Sequence, residues 1–420
     1  MKLALHWQIL IALVLAAAMG AYTGTEGTII GIHWLAIYTF IGTLFLNALK
    51  MIVVPLVVSA IITGIANVGS QGGFGRLGMK TLGYYVATSF IAILIGLVLV
   101  NIIQPGVTGN PPPVIEANET VSMAVEGKSA GDVVDVFLRM IPTNIVDAAA
   151  EGQMLGLIFF SLLFGFFMTQ LKGDAAKTMN NFWQGVFDVM MLITELVMKF
   201  APFGVFGLVA ASVAKTGFDQ FGNLALFFVT VVAALAIHLF VVMPIILRVF
   251  GGIKNPWLHY QAMAPALLTA FSTSSSSSTL PISLNAVEHR AGVSNRVTSF
   301  VLPLGATVNM DGTALYECVA AIFIAQLFGV QLDFATQLLI VIVALTTSIG
   351  VAGIPSASLV AISIILVAVG LPAEAIGLLL VVDRLLDMMR TAVNIFSDSV
   401  GAVVIAKSEG EKDILVSKEF

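Results

Sequence analysis

The sequence predicts an all-α membrane protein that combines spanning helices with two re-entrant helical hairpins. Of the 420 residues, 58% are hydrophobic and only 10% are charged, whereas soluble domains are about 45–50% apolar and about 25% charged. The mean hydropathy of +1.01 indicates that apolar residues occur along the whole chain, and about 20 residues per crossing allow up to about a dozen segments. Two long apolar stretches with small, hydroxylated centres predict the hairpins.

Charge and cysteine content exclude other classes of protein. The 19 Lys and Arg residues against 24 Asp and Glu residues give a net charge of −5, so no basic face is available for nucleic acid. Cys318 is the single cysteine, and no intrachain disulfide can form.

The first apolar segment, Ile9–Ala18, follows a positive residue, Lys2. This pattern is typical of a signal peptide, but it also suits an uncleaved first helix. We interpret it as a first span, because the polar break at Tyr22–Gly27 is followed at once by more apolar sequence.

Nine further apolar stretches follow, several of them too long for one straight crossing. They lie at about 35–69, 78–103, 132–170, 180–213, 220–250, 258–286, 297–329, 335–369 and 373–406. Basic residues cluster near 76–80, 172–177, 248–254, 290–296 and 407–418. By the positive-inside rule these clusters and both termini are cytoplasmic. The stretches 258–286 and 335–369 then begin and end on one side, as re-entrant hairpins do.

The centres of these two stretches support the same interpretation. The first is Thr273–Pro281, which is rich in serine, and the second is Thr346–Ser356, which contains glycine and proline. Non-helical backbone at membrane depth is tolerated only where it is buried or lines a cavity. Two such tips entering from opposite faces are typical of transporters with inverted repeats and a midplane site. A flexible linker is the alternative for the serine run, and its apolar flanks disfavour it.

The last apolar stretch carries a polar stripe. An ionisable residue inside a span costs at least about 2.5–3.5 kcal/mol and is a functional candidate. At about 100° per residue, six side chains fall within an arc of about 100°. They are Asp383, Asp387, Arg390, Thr391, Asn394 and Asp398. Such a stripe must line a polar pocket, with Asp387 pairing with Arg390. A purely structural salt-bridge stripe is the alternative, but the surplus of acids favours cation binding.

The stretch 297–329 contains a second polar group. Gly305 and Gly312 weaken the helix, while Asn309, Asp311 and Thr313 supply oxygen atoms around a segment that can unwind. Hard cations prefer such oxygens. We expect Asp311 and Asp398 each to be neutralised by one monovalent cation.

Four motifs together resemble the glutamate/aspartate transporter family, which includes the excitatory amino acid transporters and archaeal sodium–aspartate symporters. They are Asn309–Thr313, the serine-rich first tip, Gly353–Pro355, and Asp387–Asn394. The resemblance covers nearly the whole chain. It implies a homotrimer in which each subunit has eight transmembrane helices and two re-entrant hairpins. The protein would be an elevator-type symporter that imports acidic amino acids by alternating access. Sodium would be the coupling ion, protons and potassium are further candidates, and no cofactor is expected.

The resemblance also implies a division of the chain into scaffold and transport parts. The expected segments are 1–74 (scaffold helices 1 and 2), 75–105 (transport helix 3), 106–214 (outer loop and scaffold helices 4 and 5), 215–254 (transport helix 6), 255–291 (hairpin 1), 292–330 (helix 7), 331–371 (hairpin 2), 372–407 (helix 8) and 408–420 (cytoplasmic tail). The expected location is the cell inner (plasma) membrane.

Site residues follow from the same resemblance. Arg390 would bind the side-chain carboxylate of the substrate and Asp387 its α-ammonium. The full substrate set is Ser275, Ser276, Thr313, Ile354, Ser358, Asp387, Arg390, Thr391 and Asn394. One sodium would use Gly305, Asn309, Asn394 and Asp398; a second Thr307, Ser348, Ile349 and Val351; a third Tyr85, Thr88, Ser89, Asn309 and Asp311.

The chain departs from the family pattern at two points. The positions where relatives carry a second arginine hold Ser274 and Met388, so we expect Asp387 to have less positive company. By resemblance, Glu317 is at the position linked to proton carrying in the proton- and potassium-coupled branch of the family. Burial in apolar surroundings favours the neutral form of a carboxyl, so Glu317 would be able to bind and release a proton. A glutamate held neutral by a hydrogen bond is the alternative.

Other classes of function are disfavoured. An intramembrane enzyme would need a base beside the serine run, and no histidine or lysine lies in the last three membrane segments. A channel needs a continuous pore, whereas two occluding hairpins suit alternating access. A neutral amino acid or C4-dicarboxylate symporter of the same fold is the runner-up; Arg390 opposes the first and Asp387 the second.

Overall fold

The computed structural model of the chain describes residues 5–70, 76–107, 141–150, 154–216, 221–350, 357–372 and 375–416. These residues are mostly helical. In chain order the helices are α1 Leu5–Thr23, α2 Trp34–Ser70, α3 Arg76–Ile103, α4 Ile145–Ala150, α5 Met154–Met168, α6 Gly173–Lys199, α7 Ala201–Thr216, α8 Phe221–Ile237, α9 Met243–Val249, α10 Trp257–Thr273, α11 Ser276–Asn285, α12 Asn295–Val308, α13 Asp311–Leu327, α14 Phe334–Gly350, α15 Ala357–Ala368 and α16 Ile376–Ser408. Two π-helical segments lie at His238–Val242 and Ala286–Arg290.

The polar break after α1 forms a small hairpin, which the all-α prediction did not include. Strand β1, Thr28–Ile29, pairs antiparallel with β2, Ile32–His33. Ile30 and Gly31 between them have φ angles of 52° and 77°, which is the backbone of a tight hairpin turn with both central residues left-handed. The hairpin therefore reverses the chain from α1 into α2.

The helices α1, α2, α5, α6 and α7 pack on one another, and glycines lie where α1 and α2 meet α7. A Cβ atom on Gly207 of α7 would lie 2.7 Å from the backbone oxygen of Tyr38 in α2. A Cβ atom on Gly20 of α1 would lie 2.6 Å from the oxygen of Ala210 in α7. Glycines at such positions let helix backbones approach closely, as they do in membrane helix pairs.

The centre of the molecule is α13, which contacts α3, α8, α14, α15 and α16. Within the described residues, three stretches are long and apolar enough to cross a membrane, at Arg76–Ile103, Gly222–Val249 and Asn295–Leu327. The last of these is a continuous apolar stretch over α12 and α13, and its most apolar part is completely buried. The polar residues Asn309, Asp311 and Glu317 therefore lie inside protein rather than at its surface.

Helix breaks occur where the sequence predicts weak helix. The serine run breaks between α10 and α11, where Ser274 is left-handed at φ 52° and Ser275 accepts a bond from the backbone N–H of Ser278 at 3.2 Å. Asn309 and Met310 separate α12 from α13. Of the second predicted tip, Thr346–Ser356, residues 346–350 end α14, and residues 351–356 lie outside the described residues. The re-entrant course of both hairpins and the division into scaffold and transport parts stay predictions.

Candidate functional site

The polar stripe on α16 is buried inside the protein. Its six members, Asp383, Asp387, Arg390, Thr391, Asn394 and Asp398, are all at most 7% exposed. Its members contact Tyr316 of α13, Ser358 of α15 and Asn309 at the end of α12. The stripe thus sits among other helices, as its spacing predicts.

Arg390 is the central member and is completely buried. Its Nη2 lies 3.0 Å from Oδ1 of Asp387 and 3.1 Å from Oδ1 of Asp383. Its Nη1 donates to Ser358 Oγ at 2.7 Å, and its guanidinium carbon lies 3.9 Å above the ring of Tyr316. The predicted pairing with Asp387 is confirmed, and Tyr316 is a cation–π partner that the sequence pattern does not single out.

Asp387 has a second arginine beside it. Arg384 Nη1 lies 3.6 Å from Asp387 Oδ2, and the Arg384 side chain is only 15% exposed. Asp387 therefore has a cationic neighbour besides Arg390, while the expectation of less positive company than in the family stays a prediction. Arg384 lies one helical turn before Asp387 on α16. The i,i+3 spacing of Arg384 and Asp387 was the available signal.

Asn394 links α16 to the start of α13. Its Oδ1 accepts from the backbone N–H of Gly312 at 2.8 Å, and its Nδ2 donates to Thr313 Oγ1 at 3.1 Å. A Cβ atom on Gly312 would lie 2.8 Å from the backbone oxygen of Arg390. Glycine is needed here because the two backbones meet. Thr391, in contrast, bonds its own helix at the oxygen of Asp387.

The hydroxyls of α3 converge on Asp311. Ser89 Oγ lies 2.6 Å and Thr88 Oγ1 3.3 Å from Asp311 Oδ1. Asn309 Oδ1 lies 3.4 Å from Thr88 Oγ1 and 3.5 Å from Ser89 Oγ. Four of the five residues predicted for the third sodium thus form one buried group of oxygens. The fifth, Tyr85, directs its hydroxyl away, to the backbone oxygen of Val301.

The other carboxylate oxygen of Asp311 is held by two residues outside the predicted set. Ser397 Oγ donates to Oδ2 at 2.6 Å, and His238 Nε2 lies 3.0 Å from the same atom. His238 and His259 are both completely buried. His238 lies on a π-helical segment, a feature that often marks functional positions.

Asp398 and Asn309 form the neighbouring group. Asn309 Nδ2 donates to Asp398 Oδ1 at 2.9 Å and to Ser397 Oγ at 3.1 Å. A Cβ atom on Gly305 would collide with the Asp398 carboxylate and lie 2.7 Å from the Tyr85 hydroxyl. Gly305 is therefore required for the close approach of α12 to α16. The predicted first-sodium residues Gly305, Asn309 and Asp398 are brought together.

The residues predicted for the second sodium are not all described. Thr307 is exposed and donates to the oxygen of Leu304 at 3.0 Å, while Ser348 is buried and donates to that of Leu345 at 2.9 Å. Val351 and Ile354 of the second tip lie outside the described residues, as does the side chain of Ile349. In the first tip, Ser275 caps the N-terminus of α11 and Ser276 is its first residue; both are buried, and α11 contacts α16.

Glu317 is completely buried on α13. Its Oε2 accepts from Thr347 Oγ1 at 2.9 Å, and its Oε1 has no partner among the described side chains and backbone. A half-satisfied buried carboxyl is expensive to ionise. Glu317 is thus placed to hold a proton, and the hydrogen bond that the alternative requires is present too.

The site combines a buried arginine with two buried groups of oxygens around a helix break. In an apolar helical protein, this combination is typical of a secondary transporter. The comparisons give the family. The sequence matches the sodium:dicarboxylate symporter family over residues 5–408, and the chain belongs to that family. Its members are transporters, so the protein is an integral membrane transporter and not an enzyme.

Similar proteins of known name extend over nearly the full chain. The proton/glutamate-aspartate symporter of Escherichia coli is 36% identical over 98% of this chain and 94% of its own length. The proton/sodium-glutamate symport protein of Geobacillus stearothermophilus is 36% identical over 100% of this chain and 98% of its own length. Mouse excitatory amino acid transporter 3 is 35% identical over 88% of this chain and 79% of its own length.

Proposed function

We propose that the protein imports acidic amino acids, glutamate or aspartate, together with sodium by alternating access. The observation that carries this proposal is Arg390, a fully buried guanidinium whose Nε has no partner among the described residues. The names of the similar proteins, which include glutamate and aspartate symporters, support the same substrate class.

The chemistry of Arg390 suits a side-chain carboxylate. A guanidinium presents donors in a planar fork that matches a carboxylate, and in a water-poor site it favours an anionic ligand over a neutral one. Asp387 beside it would accept the α-ammonium, because a buried carboxylate needs a cationic partner. Asn394 and Thr313, which are bonded to each other, offer amide and hydroxyl groups for the remaining carboxylate.

Sodium would be carried as a second substrate by the oxygens around Asp311 and Asp398. Both carboxylates are at most 2% exposed, and a monovalent cation would offset the cost of keeping each of them ionised. Coupling follows from connectivity. Asn309 contacts Asp398, and Gly312, three residues further on, contacts Asn394 of the substrate group. Cations that order the link between α12 and α13 would raise substrate affinity, and substrate would raise cation affinity equally.

Reconstituted uptake tests this function. Purified protein in liposomes is given radiolabelled aspartate or glutamate with sodium, proton and potassium gradients imposed singly. We expect saturable accumulation driven by an inward sodium gradient. Equal uptake with and without sodium would contradict sodium coupling, and an ion conductance without accumulation would indicate a channel.

Glu317 would carry a proton with the substrate. We expect Glu317→Gln to remove the pH dependence of uptake and to leave aspartate affinity within about twofold, since glutamine preserves the shape and the bond from Thr347 but cannot release a proton. Uptake is measured in liposomes at several external pH values, with the exposed Glu26→Gln as the control. A Glu317→Gln profile that matches the unaltered protein would show that Glu317 is only a structural hydrogen-bonding group.

The larger arrangement follows the same proposal. We place the protein in the cell inner membrane with both termini cytoplasmic, as a homotrimer. Scaffold and mobile transport parts, and the two re-entrant hairpins, would divide the chain as predicted from sequence. The apolar side chains exposed along α1, α2, α3 and α8, such as Val14, Phe40, Val98 and Val229, are 53–67% exposed and suit contact with lipid or a neighbouring subunit.

A further inference from the structure

Residues 409–416, here called the tail segment, follow α16 and pack against the rest of the protein. Ile414 and Leu415 are only 3% and 6% exposed, and they belong to the hydrophobic cluster that includes Ala291. The backbone N–H of Leu415 donates to the oxygen of Ala291 at 2.9 Å. The tail segment therefore lies along residues 291–294, which lead into α12.

Glu411 of the tail segment completes the cap at the N-terminus of α12. Ser294 is the N-cap residue, and its Oγ accepts from the backbone N–H of Val297. In a capping box the residue at this third helical position returns a side-chain oxygen to the N–H of the N-cap residue, which a valine cannot do. Glu411, 117 residues further along the chain, supplies that oxygen. The N–H of Ser294 donates to Oε2 at 2.9 Å, and Ser294 Oγ donates to Oε1.

The other end of α12 is attached to α16 inside the cation groups. Asn309, which ends α12, donates to Asp398 at 2.9 Å, and Gly305 lies against the same carboxylate. At 1.5 Å per residue, the two attachments of α12 are roughly 20 Å apart. Because the tail segment continues from α16, α12 is held at both ends by one stretch of chain, which restricts its tilt and rotation relative to α16.

A second attachment at the end of α16 holds α3. Lys80 Nζ donates to Glu409 Oε1 at 2.6 Å and to the backbone oxygen of Ser408 at 3.0 Å. The Glu409 side chain is 16% exposed, so solvent screens this pair less than a fully exposed one. Since α3 also carries the hydroxyls that contact Asp311, the end of α16 attaches both helices that contribute to the cation groups.

We propose that the tail segment positions the two cation groups, with Glu411 as the positioning residue for α12. The inference rests on the proposed function in taking the oxygens around Asp311 and Asp398 as sodium sites. When the N-terminus of α12 is released, α12 adopts further orientations, and only a fraction of the molecules presents Asn309 correctly to Asp398. The apparent sodium affinity falls by that fraction. Aspartate binding in saturating sodium is preserved, because bound sodium restores the arrangement.

A sodium titration of Glu411→Ala tests the proposal. The Kd of labelled aspartate is measured on purified protein over a range of sodium concentrations. We expect the sodium concentration for half-maximal effect to rise about fivefold, or about 1 kcal/mol, while the aspartate Kd in saturating sodium stays within about twofold of the unaltered value. Glu411→Gln keeps one acceptor oxygen of the two and should give a smaller rise.

Asp413→Asn is the matched control. Asp413 is exposed two residues further along the tail segment, and its substitution removes the same charge without touching the cap of α12. Asparagine also tolerates the left-handed φ of 62° at this position. We expect the sodium titration of Asp413→Asn to match that of the unaltered protein.

Three results with the variants would overturn the proposal. A lower unfolding temperature in Glu411→Ala with an unchanged sodium titration would show that the cap serves stability alone. An equal shift in Asp413→Asn would show a general effect of charge. A rise of the aspartate Kd in saturating sodium as large as the sodium shift would show that Glu411 acts on the substrate site. In contrast, an unaltered protein without any sodium dependence would contradict the proposed function itself.

Lys80→Gln serves if Glu411→Ala does not fold. It weakens the attachment of α3 and leaves the cap of α12 in place. We expect the sodium concentration for half-maximal effect to rise about threefold, with Lys177→Gln, exposed on α6, as the control. A sodium titration of Lys80→Gln that coincides with that of Lys177→Gln would contradict the positioning of the cation groups from the end of α16.

Discussion

Arg390→Ala and Arg390→Thr should lose acidic amino acids as ligands. The substrate carboxylate would be buried without its partner, which costs about 2–5 kcal/mol and corresponds to a Kd raised roughly 30-fold to several thousand-fold. Arg390→Thr should also allow neutral amino acids to bind, because the threonine hydroxyl offers a hydrogen bond where the charge was. Binding of labelled aspartate and of labelled serine, each in saturating sodium, measures both effects.

The controls for this result address folding and charge. Arg390 pairs with two buried carboxylates, so its loss also burdens the folded state. Thermal stabilisation of the variants by added sodium would show that the cation groups remain intact. Arg390→Lys keeps a charge but not the planar fork, and we expect it to recover only part of the affinity. Undiminished aspartate affinity in Arg390→Ala would refute the assignment of Arg390.

Asp311→Asn should uncouple substrate binding from sodium. Ser89 and Ser397 donate to different oxygens of Asp311, so asparagine can accept from only one of them. Asparagine keeps the shape of the side chain but removes the buried negative charge that a cation would neutralise. We expect the rise of aspartate affinity with sodium concentration to become shallower, with the concentration for half-maximal effect raised at least about tenfold, or about 1.4 kcal/mol. Aspartate Kd is measured over a sodium titration.

A matched substitution guards against a general effect of charge removal. Asp188 is exposed on α6, where Gln184 donates to it at 2.9 Å, and Asp188→Asn should leave the sodium titration unchanged. If Asp311→Asn gives the same sodium dependence as Asp188→Asn, the oxygen group around Asp311 is not a site for the coupled cation.

Local chemistry explains which parts of the site the sequence could predict. Gly305 and Gly312 indicate a weak helix between them, and the structure places the break at Asn309 and Met310. The period of an α-helix places Asp387, Arg390 and Asn394 on one side of α16, and all three are buried. These predictions depend only on backbone propensity and on the cost of exposing charge to lipid.

Contacts between distant segments could not be predicted in the same way. His238 contacts Asp311, which is 73 residues away in sequence. The segment around His238 has no polar stripe from which this contact could be predicted. Arg384 lies next to the predicted stripe, yet its reach to Asp387 depends on the conformation of a long side chain. The hairpin β1–β2 was missed because it is only four paired residues within a polar break.

The non-helical link between α12 and α13 is hydrogen-bonded to α16 on both sides. Asn309 is bonded to Asp398, and Gly312 is bonded to Asn394, one turn earlier on α16. A shift of α16 along its axis would move both hydrogen-bonded residues in the same direction. The link between α12 and α13 would therefore move with α16 instead of bending independently as a hinge. If the cation and the substrate bind as proposed, occupation of one group would shift the other through this link without direct contact between the two ligands.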